Sequence, residues 1–186
     1  LLVERSGGVV FRGDPYDLNI TALRRKPSPG VVFGDLLIIS YRKAGRWVSE
    51  YFPAQTVPTE DYLQSPMRET GAAILATGQH RGAWKRGLHR GRPALVQTGA
   101  AVRISRDNDK DATPEATEAT ETGYFGLNVH DLRGDPSSAS AGCIVVPNSG
   151  DIARVLALAN AQIIHGFGER FSVTILEDGG KLCCCQ

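Results

Sequence analysis

Residues 35–52, DLLIISYRKAGRWVSEYF, place two runs of β character on either side of a single turn. DLLIISYR (Asp35 to Arg42) reads as a strand, and KAG (Lys43 to Gly45) supplies a hairpin turn. RWVSEYF (Arg46 to Phe52) alternates with a period of two, so Trp47, Ser49 and Tyr51 share one face and Val48, Glu50 and Phe52 the other. Turn residues recur along the rest of the chain, which predicts many short strands. AAILATG (Ala72 to Gly78) reads as a short buried strand. RPALVQTGAAVRISRD (Arg92 to Asp107) reads as a second hairpin turning near Gly99. YFGLNVH (Tyr124 to His130) and CIVVP (Cys143 to Pro147) are strand-like, and FSVTILED (Phe171 to Asp178) is a final strand. VPTEDYLQSPM is read as loop because of Pro58 and Pro66.

One helix is expected, over SGDIARVLALANAQIIHGFG (Ser149 to Gly168). Ile152, Val155, Leu156, Ala159, Ile163 and Ile164 make its apolar stripe. Ser149 or Asp151 is the expected cap and Gly166 the expected stop. The class is therefore mainly β (β-rich α+β) with one substantial helix. A single domain over residues 1–178 is expected, followed by a Cys-rich tail, 179–186.

Composition narrows the function classes. A net charge of +1 leaves no nucleic-acid footprint, and the apolar share of 41% allows a real core. Lys and Arg cluster in HRGAWKRGLHRGR (His80 to Arg92), read as a solvated basic loop, with a groove for an anionic substrate as the alternative. Apolar runs such as LLIIS are too short to span a bilayer, and no signal peptide is visible. The chain opens LLVERSGG without Met, so a preceding N-terminal piece is expected. Cys183, Cys184 and Cys185 are adjacent, which suits neither a disulfide framework nor a zinc CxxC pair. That tail is read as disordered, with lipidation or crosslinking as alternatives. Asp107, Asp109 and Asp111 have D-x-D-x-D spacing without the Gly and distal Glu of a calcium loop, so a solvated loop without metal is expected.

NVHDLRGDPSSASAGCIVV (residues 128–146) concentrates the candidate chemistry. It holds His130 and, 13 positions on, Cys143, the one cysteine outside the tail. A cysteine attacks as thiolate and needs a base nearby, and an acyl centre needs amide donors for its oxyanion. His130 on a strand end suits the base, and the Gly142 and Cys143 amides suit the donors. Cys143 is accordingly expected to be partly ionised, and alkylated selectively, near neutral pH. Spacing alone leaves a second reading open, a buried structural cysteine beside an unrelated surface histidine. His80 and His89 are read as surface residues, and His165 as closing the helix.

GYFGLNVH…SSASAGCIVVP resembles the active-site signature of the L,D-transpeptidase (YkuD-like) catalytic domain. That motif is a His ending a strand, a variable loop, then [S/T]-H-G-C and an apolar residue. The matching positions are His130, Ser140, Gly142, Cys143 and Ile144. The chain is more similar to a divergent branch, bacterial and phage, that reads S-A-G-C. ILATGQHRGAWKRGLHRGRPALVQ and VRISRDNDKD resemble that branch too, so the likeness runs roughly from Asp17 to Leu176. Three departures stand out. Ala141 replaces the motif's His. The loop between His130 and Ser140 has nine residues, fewer than usual. Val145 replaces the Arg or Asn usual two positions after the cysteine; Arg133, or the basic stretch around Arg81 and Lys85, is the candidate substitute.

The resemblance implies a β-sandwich or barrel of mixed sheets with the helix after the nucleophile strand. It implies acyl transfer on peptidoglycan stem peptides through a Cys143 thioester, as L,D-transpeptidase or L,D-carboxypeptidase. His130 would be the base, oriented by the backbone carbonyl of Asp131, whose carboxylate would assist or be solvated. Ser140 would brace the loop. Arg133, Trp84 and Arg81 are the substrate-binding candidates, with core packing the alternative for Trp84. No cofactor and no metal is required. The alternatives are a cell-wall-degrading cysteine hydrolase (effector or phage-type lysin), a protein peptidase, or a degenerate module binding peptidoglycan or protein. The implied setting is the cell envelope, periplasm or exterior, or a phage-encoded protein.

Overall fold

In the hairpin of residues 35–54 the turn is two residues long, Ala44 and Gly45, both at positive φ. That turn twists with its strands, so the nine-residue pairing continues without a break. The computed structural model describes residues 2–25, 32–113 and 120–178. Cys183, Cys184 and Cys185 lie outside the described residues.

In chain order the elements are α1 (Leu2–Arg5), β1 (Asn19–Arg24), β2 (Asp35–Lys43), β3 (Arg46–Ala54), α2 (Glu60–Gln64), β4 (Ala72–Leu75), β5 (Gly78–His89), β6 (Arg92–Val96), β7 (Val102–Asp107), β8 (Thr120–Gly123), β9 (Val129–Asp131), β10 (Ile144–Val146), α3 (Ser149–Ile164) and β11 (Arg170–Glu177). A 3₁₀ turn, Pro136–Ser138, lies between β9 and β10. The protein is mainly β, with a nearly closed eight-stranded mixed sheet in the order β10-β9-β6-β5-β11-β1-β2-β3 and a smaller sheet, β4-β7-β8. The two ends of the large sheet meet just beyond β3, where Gln55 and Val145 exchange both backbone hydrogen bonds, at 2.8 and 2.9 Å. Apolar residues at alternate strand positions, among them Ile20, Leu37, Ile39, Leu95, Val173 and Ile175, fill the interior.

Several expectations change here. Strands form over 92–96 and 102–107, but they do not pair as a hairpin: β6 joins β5 and β9, whereas β7 joins β4 and β8. The buried side chain of Gln97 redirects the chain between them, donating to Ala100 O and Gly123 O. The basic stretch is not a solvated loop but most of β5, the longest strand. Its basic composition hides it: Ala83 and Trp84 are fully buried in succession, where the register against β11 shifts, while Arg81 and Arg86 face outward. His80 is buried too, with Nε2 at 2.8 Å from Ala76 O. Residues 58–66 contain the short helix α2.

Helix α3 starts one residue earlier in its capping than expected: Asn148, not Ser149 or Asp151, accepts from Asp151 N–H. Ile152, Val155, Leu156 and Ala159 are buried as the stripe requires, but Ile164 is 71% exposed. The helix packs on β6, β9 and β10, behind the strands that carry the candidate pair. No helix among the described residues is long and apolar enough to cross a membrane.

Candidate functional site

Parallel pairing brings His130 and Cys143 together. Strands β9 and β10 run side by side with Ile144 opposite Val129 and Val145 opposite His130. Cys143 therefore sits at the mouth of β10, level with Asn128. Ile144 N–H donates to Asn128 O at 2.9 Å, and Asn128 N–H donates to Cys143 Sγ at 3.3 Å. A ring nitrogen of His130, a ring nitrogen of His89 and Cys143 Sγ all lie within 4.8 Å of one another. His130 and Cys143 are both buried, and the Gln55–Val145 bridge locks β10 from its other side.

The His130 tautomer follows from its partner. Its Nδ1 is 2.7 Å from the backbone oxygen of Asp131, a group that only accepts, so Nδ1 carries the proton and Nε2 is the basic nitrogen. The Asp131 carboxylate neither reaches the imidazole nor meets solvent. It is buried between Arg92 Nη2 at 2.9 Å and Arg133 Nε at 3.3 Å.

Burial sets the charge state of the pair. It pulls His130 down to about 4, against a partial offset from the Asp131 carbonyl, with His89 and Arg133 pushing the same way as burial. Burial pushes the Cys143 thiol up, offset in part by Asn128 N–H, Ser140 and the charges of Arg90 and Arg133. The resting pair is a neutral thiol beside a neutral imidazole. The partly ionised cysteine expected from sequence is not what this environment favours, because burial disfavours the thiolate.

Ser140 organises the turn before the cysteine. Its hydroxyl donates to Cys143 O and accepts from Gly142 N–H, both at 3.0 Å. Its backbone is held by Thr59, whose N–H donates to Ser140 O at 2.9 Å. Gly142 sits at φ +128, and a Cβ there would lie 2.2 Å from Ala73 O, so no other residue fits without a shift of β4. The Gly142 amide is therefore occupied rather than presented to a substrate. Cys143 N–H has no acceptor among the described residues, so one of the two expected oxyanion donors is available.

Two residues were missed from sequence. His89, at the end of β5, stacks on His130 with ring centroids 4.7 Å apart and planes inclined by 27°. Asn128 links everything around it: main chain to Cys143 and Ile144, Oδ1 from Gln97 N–H at 2.9 Å, and Nδ2 to His89 Nδ1 at 2.8 Å. The only signal for His89 was its place in the basic stretch, where composition argued for solvent. Residues 124–128 are not strand, because Gln97 Oε1 accepts from Phe125 and Gly126 N–H and Trp84 Nε1–H donates to Leu127 O.

A cavity of about 420 Å³ opens onto the cysteine. Arg68, Arg90, Arg106 and Arg133 line it together with Tyr62 and Tyr124, and among the described residues no carboxylate does, although Glu121 pairs with Arg106 and Arg68 from outside it. Arg133 Nη1 donates to His89 O at 2.7 Å, while its Nη2 is buried without a partner among the described residues. Of the three substrate-binding candidates, only Arg133 reaches this cavity. Trp84 is fully buried in the barrel, and Arg81 projects outward from β5 away from it.

His89, His130 and Cys143 are close enough to be weighed as ligands for a thiophilic cation. The stacked rings oppose that use, since an ion in the plane of one ring lies out of the plane of the other. Asp107, Asp109 and Asp111 also cluster, but the Asp107 carboxylate accepts from Lys110 and Ala112 N–H, turning the loop on itself. Compared with protein-family models, curated proteins and solved structures, the chain matches none.

Proposed function

We propose that the protein is a cysteine acyl-transfer enzyme of the L,D-transpeptidase type, acting on peptidoglycan stem peptides through a Cys143 thioester. The observation that carries this reading is Cys143 Sγ within 4.8 Å of an imidazole whose tautomer is set by the Asp131 carbonyl. The signature resemblance around His130 and Cys143 supports the substrate class, as does the arginine lining, because stem peptides carry free carboxylates. Such a substrate implies work in the cell envelope or outside the cell, including a phage-encoded role on a host wall.

In the proposed cycle Cys143 Sγ attacks the acyl carbon while its proton passes to His130 Nε2. The new S–C bond makes a tetrahedral centre whose oxygen is negative. The C–N bond then breaks, the leaving amine takes the proton from His130, and a thioester remains. An incoming amine or water attacks that thioester, its proton passing to His130 Nε2. The S–C bond breaks and the proton returns to sulfur. The neutral resting pair fits this concerted transfer, since a base held near 4 gains its proton only when negative charge develops beside it.

Incubation with purified muropeptides, read by mass spectrometry, tests the reading. Crosslinked products or shortened stems are expected, and both should vanish in Cys143→Ala. Undiminished turnover by that variant would sink the mechanism, and binding without turnover would favour a peptidoglycan-binding module.

A further inference from the structure

The site holds a second imidazole whose protonation is dictated by the main chain. Gln97 N–H donates to Asn128 Oδ1, so the side-chain amide of Asn128 has only one orientation. Its NH₂ then faces His89 Nδ1 at 2.8 Å, and that nitrogen must accept. Neutral His89 consequently carries its hydrogen on Nε2, as a donor with no protein acceptor among the described residues. Arg133 holds the backbone of His89 through its carbonyl, and the stack on His130 holds the ring. The ring lines the cavity that reaches Cys143.

That donor matches a deficit. Acyl transfer develops negative charge on one oxygen, and preorganised donors around it supply much of the rate. Gly142 N–H is taken up by Ser140 Oγ, which leaves Cys143 N–H alone. We propose that His89 is a catalytic residue of this site: its Nε2–H donates to the acyl oxygen as Cys143 attacks, filling the place of the Gly142 amide. The imidazole missing at position 141 of the motif is thus supplied from β5. No proton leaves His89. The hydrogen bond strengthens as C=O becomes C–O⁻ and relaxes when the C–N bond breaks. Burial disfavours a charged ring, as do Arg133 and Arg90, which suits His89 to the role of neutral donor rather than second base.

This inference rests on the acyl-transfer reading, and a substrate-independent comparison separates the two. Cys143 is acylated by p-nitrophenyl acetate through an oxyanion and alkylated by iodoacetamide without one. His89→Phe keeps a stacking ring without the donor, and His89→Gln keeps an N–H donor without the titrating ring. The acylation rate of His89→Phe is expected to fall about 100-fold, with alkylation within about twofold of the parent, and His89→Gln should recover much of the loss. Equal losses in both reactions, or full acylation by His89→Phe, would overturn the assignment. Failure of the unmodified protein to be acylated would overturn it too. Rapid acylation by the ester with no turnover of stem peptides would sink the substrate reading alone and leave the His89 result to be judged on its ratio.

Discussion

Asn128 donates its backbone N–H to the sulfur of Cys143 across 3.3 Å, inside a parallel strand pair. The contact makes the cysteine part of the ladder's hydrogen bonding as well as the proposed nucleophile. Cys143→Ala leaves a buried N–H unpaired, which costs about 1–3 kcal/mol. Cys143→Ser offers an oxygen acceptor in its place. Both variants should lose acyl transfer, while urea titrations should show the alanine variant to be the less stable. Equal stability would show that the Asn128 contact contributes nothing.

His130 makes the fold acid-sensitive. Its folded value of about 4 lies below the ordinary 6.5, so the unfolded chain binds the proton first. Its contribution is intact above about pH 6.5 and is lost as pH falls toward 4, on the order of 3 kcal/mol in full. His80 and His89 are shifted in the same direction by burial. The melting temperature of the parent should therefore drop more steeply than that of His130→Gln between about pH 7 and 4. Parallel curves would contradict this.

Gly142→Ala should be among the most damaging single changes. It forces an alanine into φ +128 and drives its methyl against Ala73 O. A loss of about 3 kcal/mol or more is expected, measured by denaturant unfolding, along with loss of turnover as the turn moves Cys143. A variant within about 1 kcal/mol of the parent would show that β4 yields easily.

Arg133 should set the preference for anionic reagents. Replacing it with Met is expected to slow iodoacetate far more than iodoacetamide at Cys143, by about tenfold in the ratio of rates. Lys should rescue incompletely, because it cannot bond His89 O and Asp131 in one fork. An unchanged ratio would remove Arg133 from substrate recognition.

Trp84→Phe should leave KM unchanged and lower stability by about 2–3 kcal/mol. The indole sits inside the barrel, and the change removes its bond to Leu127 O, 2.7 Å long, and part of the core volume it fills. A raised KM with unchanged stability would return Trp84 to the substrate.

Much of the secondary structure was legible because it is local. Period-two alternation marked β3, short strand-like runs marked β2 and β11, and the apolar stripe with Gly166 marked α3. The failures were the places where a distant group decided. Gln97, buried and bonded to residues 100, 123, 125 and 126, separates β6 from β7, and nothing in residues 92–107 announces that. His89 looked solvated because its neighbours are arginines, yet Arg133 and Asn128, some forty residues away, draw it inward.

By itself the sequence determined the β-rich class, the placement of one substantial helix, and one segment that holds both a candidate histidine and a candidate cysteine. Those properties follow from side-chain periodicity and backbone preference over a few residues. Only the tertiary structure decided which histidines meet the sulfur, which amide is free, and what charge the pair carries. Each of these depends on hydrogen bonds and burial contributed by strands far apart in the chain, and a buried polar group is committed only when all its partners are in place.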